Sequence, residues 1–342
     1  MMTSKTKRVF FDHDGGVDDY VALGLLVSQT KSMRCAENAV GEHTIEIVGI
    51  SVTEADCFIE PAVDATLRIL DLSGNVDVPV AASTLYGADK FKFPSDWRLD
   101  AFKVAAAPQL HQQSVVRRAR VVPGVTGQEL MLRTLQEATE PVHLLLTGPF
   151  TTLAWCLRRD PSIVAKIGSV IAMAGAVHVK GNVLDQHLQP TATHDGSAEW
   201  NVFWDAEAAR VVLCEFPALT VRIVSLDVTN GVPIRGDFIE RIGAQYAYPL
   251  SQLIGNAYAL VACNIFRTGL SYFAWDVLTA LWLLRPDFFE WEPTHLRVHV
   301  DEPSTGRTEP VAVDTPNTKA VLVAKNVDPN NFYTAALTAF RR

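Results

Sequence analysis

Basic residues are in the minority in this chain of 342 residues: 30 Lys and Arg stand against 38 Asp and Glu, a formal net charge of −8. Nothing concentrates them, so the electrostatic footprint of a nucleic-acid binder is missing. The two dense basic runs, Lys5–Arg8 and Arg117–Arg120, are short and read as solvated surface. Cysteines number only five (Cys35, Cys57, Cys156, Cys214 and Cys263), an odd count with no CxxC and no Cys/His spacing that would point to zinc. They read as reduced, mostly buried thiols. No apolar run approaches the roughly 20 residues of a membrane span. The first apolar run ends at once in aspartates, unlike a secretory leader, which makes the cytoplasm the expected compartment. No Ser/Gly-rich linker divides the chain, so residues 1–342 are expected to form a single domain.

What is present is ordinary globular composition, 48% hydrophobic and 20% charged, at a length that buries roughly 75% of the unfolded surface without disulfides. Short apolar runs at Arg8–Phe11, Ile45–Val52, Val78–Ala81, Val142–Leu146, Val170–Ala174 and Thr220–Leu226 read as strands. Helical patterns over Asp18–Ser28, Pro61–Asp71, Gly127–Ala138, Thr151–Arg159 and Ala206–Glu215 alternate with them. Continuous apolar strands between amphipathic helices imply an α/β fold: an open, mostly parallel central sheet with helices on both faces. Beyond Asp227 the pattern turns helical (Phe238–Ala247, Leu250–Phe266, Trp275–Leu284), followed by a strand-like Leu296–Val300 and a C-terminal helix. These later helices are expected to cap the carboxyl ends of the sheet, where such folds place ligands. Two stretches, Tyr86–Arg98 and Asn182–Ser197, are long enough for functional loops.

Asp12, Asp14, Asp18 and Asp19 fall between the first strand and the first helix, around Gly15 and Gly16. Strand alternation puts Asp12 and Asp14 on one side and turns His13 away, while the glycines let Asp18 and Asp19 point back. Helix capping accounts for one or two of these at about 0.3–1 kcal/mol each. Two ionised carboxylates about 5 Å apart repel by roughly 3 kcal/mol at an effective dielectric near 20, so four together call for a cation or protons. Oxygen donors without Cys select Ca²⁺ or Mg²⁺, and Ca²⁺ tolerates irregular geometry better. A cation there can acidify a water while a carboxylate takes its proton, which points to hydrolysis. A haloacid-dehalogenase-type phosphatase also begins strand-Asp-x-Asp, with Asp12 as nucleophile and Asp14 beside it.

The DxDxxxDD cluster is followed in order by TGPFT (Thr147), AMAG (Met173), Asn182, EWN (Glu199, Trp200, Asn201) and Trp275-Asp276. In this ordered set the chain resembles the nucleoside hydrolases. The resemblance implies Ca²⁺ held by Asp14, Asp19, Asp276 and the Thr147 carbonyl, with Asp14 as general base. It implies ribose contacts from Asp18, Asn201, Asp276, Asn182, Glu199 and Met173. An acid-rich pocket suits the oxocarbenium-like character of N-glycosidic cleavage, and unpaired polar partners would penalise deoxynucleosides.

Members with broad or pyrimidine preference carry a His just before the late Asp; Trp275 stands there instead. A second indole, Trp97, lies in FKFPSDWR, where similar purine-specific members carry an aromatic. Two indoles could sandwich a purine and favour its protonated form as leaving group. The resemblance is therefore to the purine-specific, inosine-adenosine-guanosine-preferring subclass: purine ribonucleoside hydrolysis in salvage, by a cytoplasmic enzyme, often a homodimer. In Thr53-Glu54-Ala55-Asp56, Glu54 stands where such relatives have a base-contacting Asp, and Glu54 or Asp56 could take that place. A ribonucleoside-binding protein without catalysis is the non-enzymatic alternative.

Overall fold

The computed structural model describes residues 6–87, 97–112, 117–184, 194–268 and 271–342, with side chains described outside 261–270. Nine strands form one sheet: β1 (Thr6–His13), β2 (Thr44–Val52), β3 (Val80–Ala82), β4 (Val142–Leu146), β5 (Ile167–Met173), β6 (Val221–Val224), β7 (Glu290–Val298), β8 (Thr308–Val311) and β9 (Ala320–Asn326). Their order is β3-β2-β1-β4-β5-β6-β9-β7-β8. All neighbours through β9 are parallel, and β7 and β8 add an antiparallel margin. The expected α/β class, with a mostly parallel sheet, is what the structure shows.

Twelve helices accompany the sheet among the described residues: α1 (Val17–Ser28), α2 (Ile59–Ser73), α3 (Asp100–Ala105), α4 (Gly127–Glu137), α5 (Thr151–Arg159), α6 (Trp200–Trp204), α7 (Ala206–Arg210), α8 (Leu226–Thr229), α9 (Gly236–Gly243), α10 (Pro249–Thr268), α11 (Trp275–Leu281) and α12 (Pro329–Ala339). The pleat of β1 sorts them. Val9 and Phe11 face one core with α1, α2 and α9–α12, and Phe10 faces the other with α4, α5 and α7. Burial on both faces is why the inner strands read as unbroken apolar runs.

The C-terminal third departs from expectation. Besides capping helices it supplies three strands, and β9 inserts beside β6. The apolar run Ala320–Ala324 carries that strand; β7 begins at Glu290, well before the expected Leu296. The helix expected over Ala206–Glu215 continues past Arg210 only as a wider π turn, Val211–Glu215. Cys57, Cys156 and Cys214 are buried and Cys35 partly so, all four as free thiols. The side chain of Cys263 and most of the two long loops lie outside the described residues. No helix among the described residues is long and apolar enough to cross a membrane.

Strand order reverses between β1 and β4, each of which starts a run toward an opposite edge. Diverging connections there open a crevice at the carboxyl ends of the two strands. Asp12 and His13 end β1, and Thr147 follows β4.

Candidate active site

Main-chain bonds stitch the rim of this crevice. The Thr147 amide donates to the Asp12 carbonyl at 3.0 Å, the Thr53 amide to the His13 carbonyl at 2.8 Å, and the Cys57 amide to the Asp14 carbonyl at 3.1 Å. The turn into α1 needs Gly15, whose φ is +87°, and Gly16, where a Cβ would lie 2.3 Å from an Asp56 carboxylate oxygen. That close approach brings Asp56 against the start of α1.

Asp12, Asp14, Asp18, Asp19 and Asp276 are all buried. Helix capping accounts for part of this: Asp19 accepts the Gly16 amide at 2.8 Å as the third residue of α1, and the Thr147 hydroxyl as well. Asp12 accepts the hydroxyls of Ser51 at 2.5 Å and Thr53 at 3.2 Å. It is thereby taken up by β2 and by the loop that follows. Asp14 and Asp19 lie within hydrogen-bonding reach of each other, as do Asp18 and Asp276. Tyr272 donates to Asp18 at 3.0 Å. His13 is nearer the acids than alternation implies, because α1 folds back: its Nδ1 is 4.0 Å from Asp19, while Nε2 meets Thr66 at 3.1 Å.

Burial drives the electrostatics. It pushes the Asp12 carboxyl up to about 7 against the pull of its hydroxyl bonds. Asp19 also rises to about 7, through burial first and the Asp18 charge second. Asp14 is held well above the ordinary carboxylate range by burial and by Asp19 and Asp56, and Asp276 by burial and by Asp18. Burial lowers His13 to about 3, so it stays neutral. Carboxyls in mutual contact and out of water require protons or a cation between them.

Among the described residues no three His, Cys, Asp or Glu side chains form a ready metal cage. The donor chemistry nevertheless suits a hard cation. Asp14 Oδ2 is buried without a hydrogen-bond partner among the described residues, and the charged groups acting on it are the carboxylates of Asp19, Asp56 and Asp18. Main-chain, water and ligand oxygens would have to complete a shell.

Beyond the acids, Asn201 Nδ2 donates to the carbonyls of Thr147 at 3.1 Å and Met173 at 2.9 Å, tying the ends of β4 and β5 together. Glu199 accepts the amides of Gly175 and Asn201 at 2.9 and 2.8 Å, and burial raises it to about 7. Asn182 Oδ1 accepts the Trp200 amide at 3.2 Å. Three of the six residues expected to contact the sugar, Asn182, Glu199 and Asn201, thus hold backbone in place.

The expected pair of indoles occupies two separate apolar groups. Trp275 packs with Met173, Ala176 and Leu226, its ring edge-on to Tyr272 at 4.6 Å, and its Nε1 has no partner among the described residues. Trp97 packs with Ala55, Val183, Ala198, Trp200, Phe203 and Trp204. Glu54 is ion-paired to Arg98 at 2.6 Å; Asp56, not Glu54, lies against the start of α1, and its charge acts on Asp14. The sequence reading assigned no role to Tyr272 or Arg98. A tyrosine three residues before Trp275 and an arginine next to Trp97 were the available signals.

Fold and crevice define an open α/β protein with an acid-lined cleft suited to hydrolysis at a polar substrate. A family profile described as inosine-uridine preferring nucleoside hydrolase matches residues 9–334. The chain belongs to that family and is a nucleoside hydrolase. It is similar to the crystal structure of the inosine-uridine preferring nucleoside hydrolase from Bacillus anthracis: 34% identity, TM-score 0.83, covering 98% of this chain and 100% of that one. The pyrimidine-specific ribonucleoside hydrolase RihA of Salmonella agona (strain SL483) is 27% identical over 292 residues, 82% of this chain and 80% of that protein. A purine-preferring ribonucleoside hydrolase from Gardnerella vaginalis shares the fold, with TM-score 0.73 at 20% identity over 98% of each chain. Family membership removes the phosphatase alternative, in keeping with the burial of Asp12 under the hydroxyls of β2 and its following loop.

Proposed function

We propose that this nucleoside hydrolase prefers purine ribonucleosides, cleaving inosine, adenosine or guanosine to ribose and free base. The observation that carries the reading is Trp275: an indole stands immediately before Asp276, packed beside Met173 and Tyr272, where an acid-catalysed departure of the base would need a titratable group. Stacking on an indole favours an electron-poor, protonated purine and so improves it as a leaving group.

Asp14, Asp19, Asp276 and the Thr147 carbonyl would hold Ca²⁺, which when bound supplies the positive charge that lowers the pKa of water and grips a sugar diol. Asp14 serves as the general base through Oδ2, its unpartnered oxygen. Asp18, steadied by Tyr272, and Asp276 face the ribose hydroxyls; Asn182, Glu199 and Asn201 hold the rest of the sugar, and Met173 lines its pocket. The buried carboxylates favour the cationic character that develops on the sugar as the bond to the base breaks. The same reading includes one domain, a homodimer, a cytoplasmic setting and a place in purine salvage.

A pyrimidine or broad preference is the second reading, favoured by the RihA relatives at 26–27% identity. Steady-state hydrolysis of inosine, guanosine, adenosine, uridine and cytidine with added calcium decides between them. The expected result is a higher kcat/KM for the purines. Uridine cleaved as well as inosine overturns the purine preference, and tight binding without cleavage of any nucleoside overturns catalysis.

A further inference from the structure

The turn Trp97–Leu99 sets an aromatic and a cation side by side. Trp97 enters the apolar group formed with Ala55, Trp200, Phe203 and Trp204. Arg98 goes inward and is only 5% exposed. Its Nη2 meets Glu54 Oε1 at 2.6 Å, and its guanidinium lies 4.2 Å from the Phe58 ring centroid. Glu54, Ala55, Asp56 and Phe58 all belong to the segment between β2 and α2, which Trp97 and Arg98 thus grip together. Asp56 in that segment lies against Gly16 and raises the carboxyl of Asp14 by its charge, while Arg98 offsets the charge of Asp56.

We propose that Arg98, through its ion pair with Glu54 and its stacking on Phe58, is a positioning residue that fixes Trp97 relative to the acidic end of the crevice and so sets the affinity for the nucleobase. Glu54 is the anchor of Arg98, not a contact to the base. Trp97 and Arg98 share one three-residue turn, so holding the Arg98 side chain fixes the main chain from which the Trp97 side chain projects. The inference rests on the reading of Trp97 as a contact to the nucleobase, which comes from the resemblance to purine-specific members.

The test measures KM for the nucleoside that the wild type cleaves fastest, together with the inhibition constant of free D-ribose, in Arg98→Met, Glu54→Gln and the double variant. Misplacing a positioning element is expected to raise KM by about tenfold or more. Both single variants should show that rise, the double variant should be no worse than the poorer single one, and ribose inhibition should stay near the wild-type value. Ribose inhibition weakened in step with KM would reduce Arg98 to general structural support and overturn the proposal. An unchanged KM in soluble Glu54→Gln, or additive effects in the double variant, would overturn it as well. The wild-type ranking of nucleosides tests the purine reading separately, since the Arg98 result is read as a change from wild type.

Discussion

The acidic end of the crevice and the two indoles are held by different forces. At the acidic end Asp12 lies near the end of β1, Asp14 just beyond it, and Asp18, Asp19 and Asp276 in the first turns of α1 and α11; Asp12, Asp18 and Asp19 have directional partners: the Gly16 amide, the hydroxyls of Ser51, Thr53 and Thr147, the Tyr272 phenol. Trp97 sits on a three-residue turn and Trp275 on the first residue of α11, each packed against a separate apolar group. Directional bonds fix atoms within a few tenths of an ångström; apolar contacts specify shape and area but tolerate repacking. If, as proposed, the acids carry the reaction and the indoles the choice of base, alterations at the two should differ in both size and kind.

The largest effect is expected at the acidic end. Asp14→Ala should cut turnover by about 10²–10⁴-fold, the range of general-base catalysis. In chelator its melting temperature should not fall, because the change removes a carboxyl whose ionised form is opposed by burial and by the charges of Asp19 and Asp56. Undiminished kcat in this variant would remove Asp14 from the chemistry.

Wild-type stability supplies an intermediate effect. Asp12, Asp19 and Glu199 are raised to about 7 in the folded chain, above the unfolded carboxylate range. The folded state therefore holds more protons than the unfolded one between about pH 4 and 7. Their stabilising contribution is complete below about pH 4 and is lost as pH rises through 7. In chelator the carboxyl contribution lowers the melting temperature at pH 8 relative to pH 5, and calcium should raise the melting temperature more at pH 8 than at pH 5. An equal calcium shift at both pH values would separate the cation from these carboxyls.

The smallest effect is expected at the indoles. Trp275→Ala should lower kcat/KM for inosine by about tenfold, the scale of one good ring contact. A ribonucleoside analogue whose leaving group is already activated should lose less in the same variant. Equal losses on both would show that Trp275 packs the fold without favouring base departure.

The parallel core and the acid cluster were legible for one reason. Val9, Phe10 and Phe11 run straight into Asp12 and Asp14, so the strand and the residues at its carboxyl end are adjacent in the chain. β9 was missed although Ala320–Ala324 is an apolar run, because its neighbours β6 and β7 come from distant segments and periodicity carries no information about pairing. Glu54 and Asp56 were indistinguishable by type and spacing. The close approach of Gly16 to Asp56 and the pairing of Glu54 with Arg98 separate them.

By itself the amino-acid order determined what local chemistry can determine: alternating strands and helices, four aspartates beside two glycines, and an indole next to Asp276. Tertiary structure alone decided which carboxyls touch, that Tyr272 steadies Asp18, and that Arg98 grips the segment after β2. Those outcomes depend on burial and on contacts between residues far apart in the chain, and burial is what turns ordinary aspartates into groups that demand a proton or a cation.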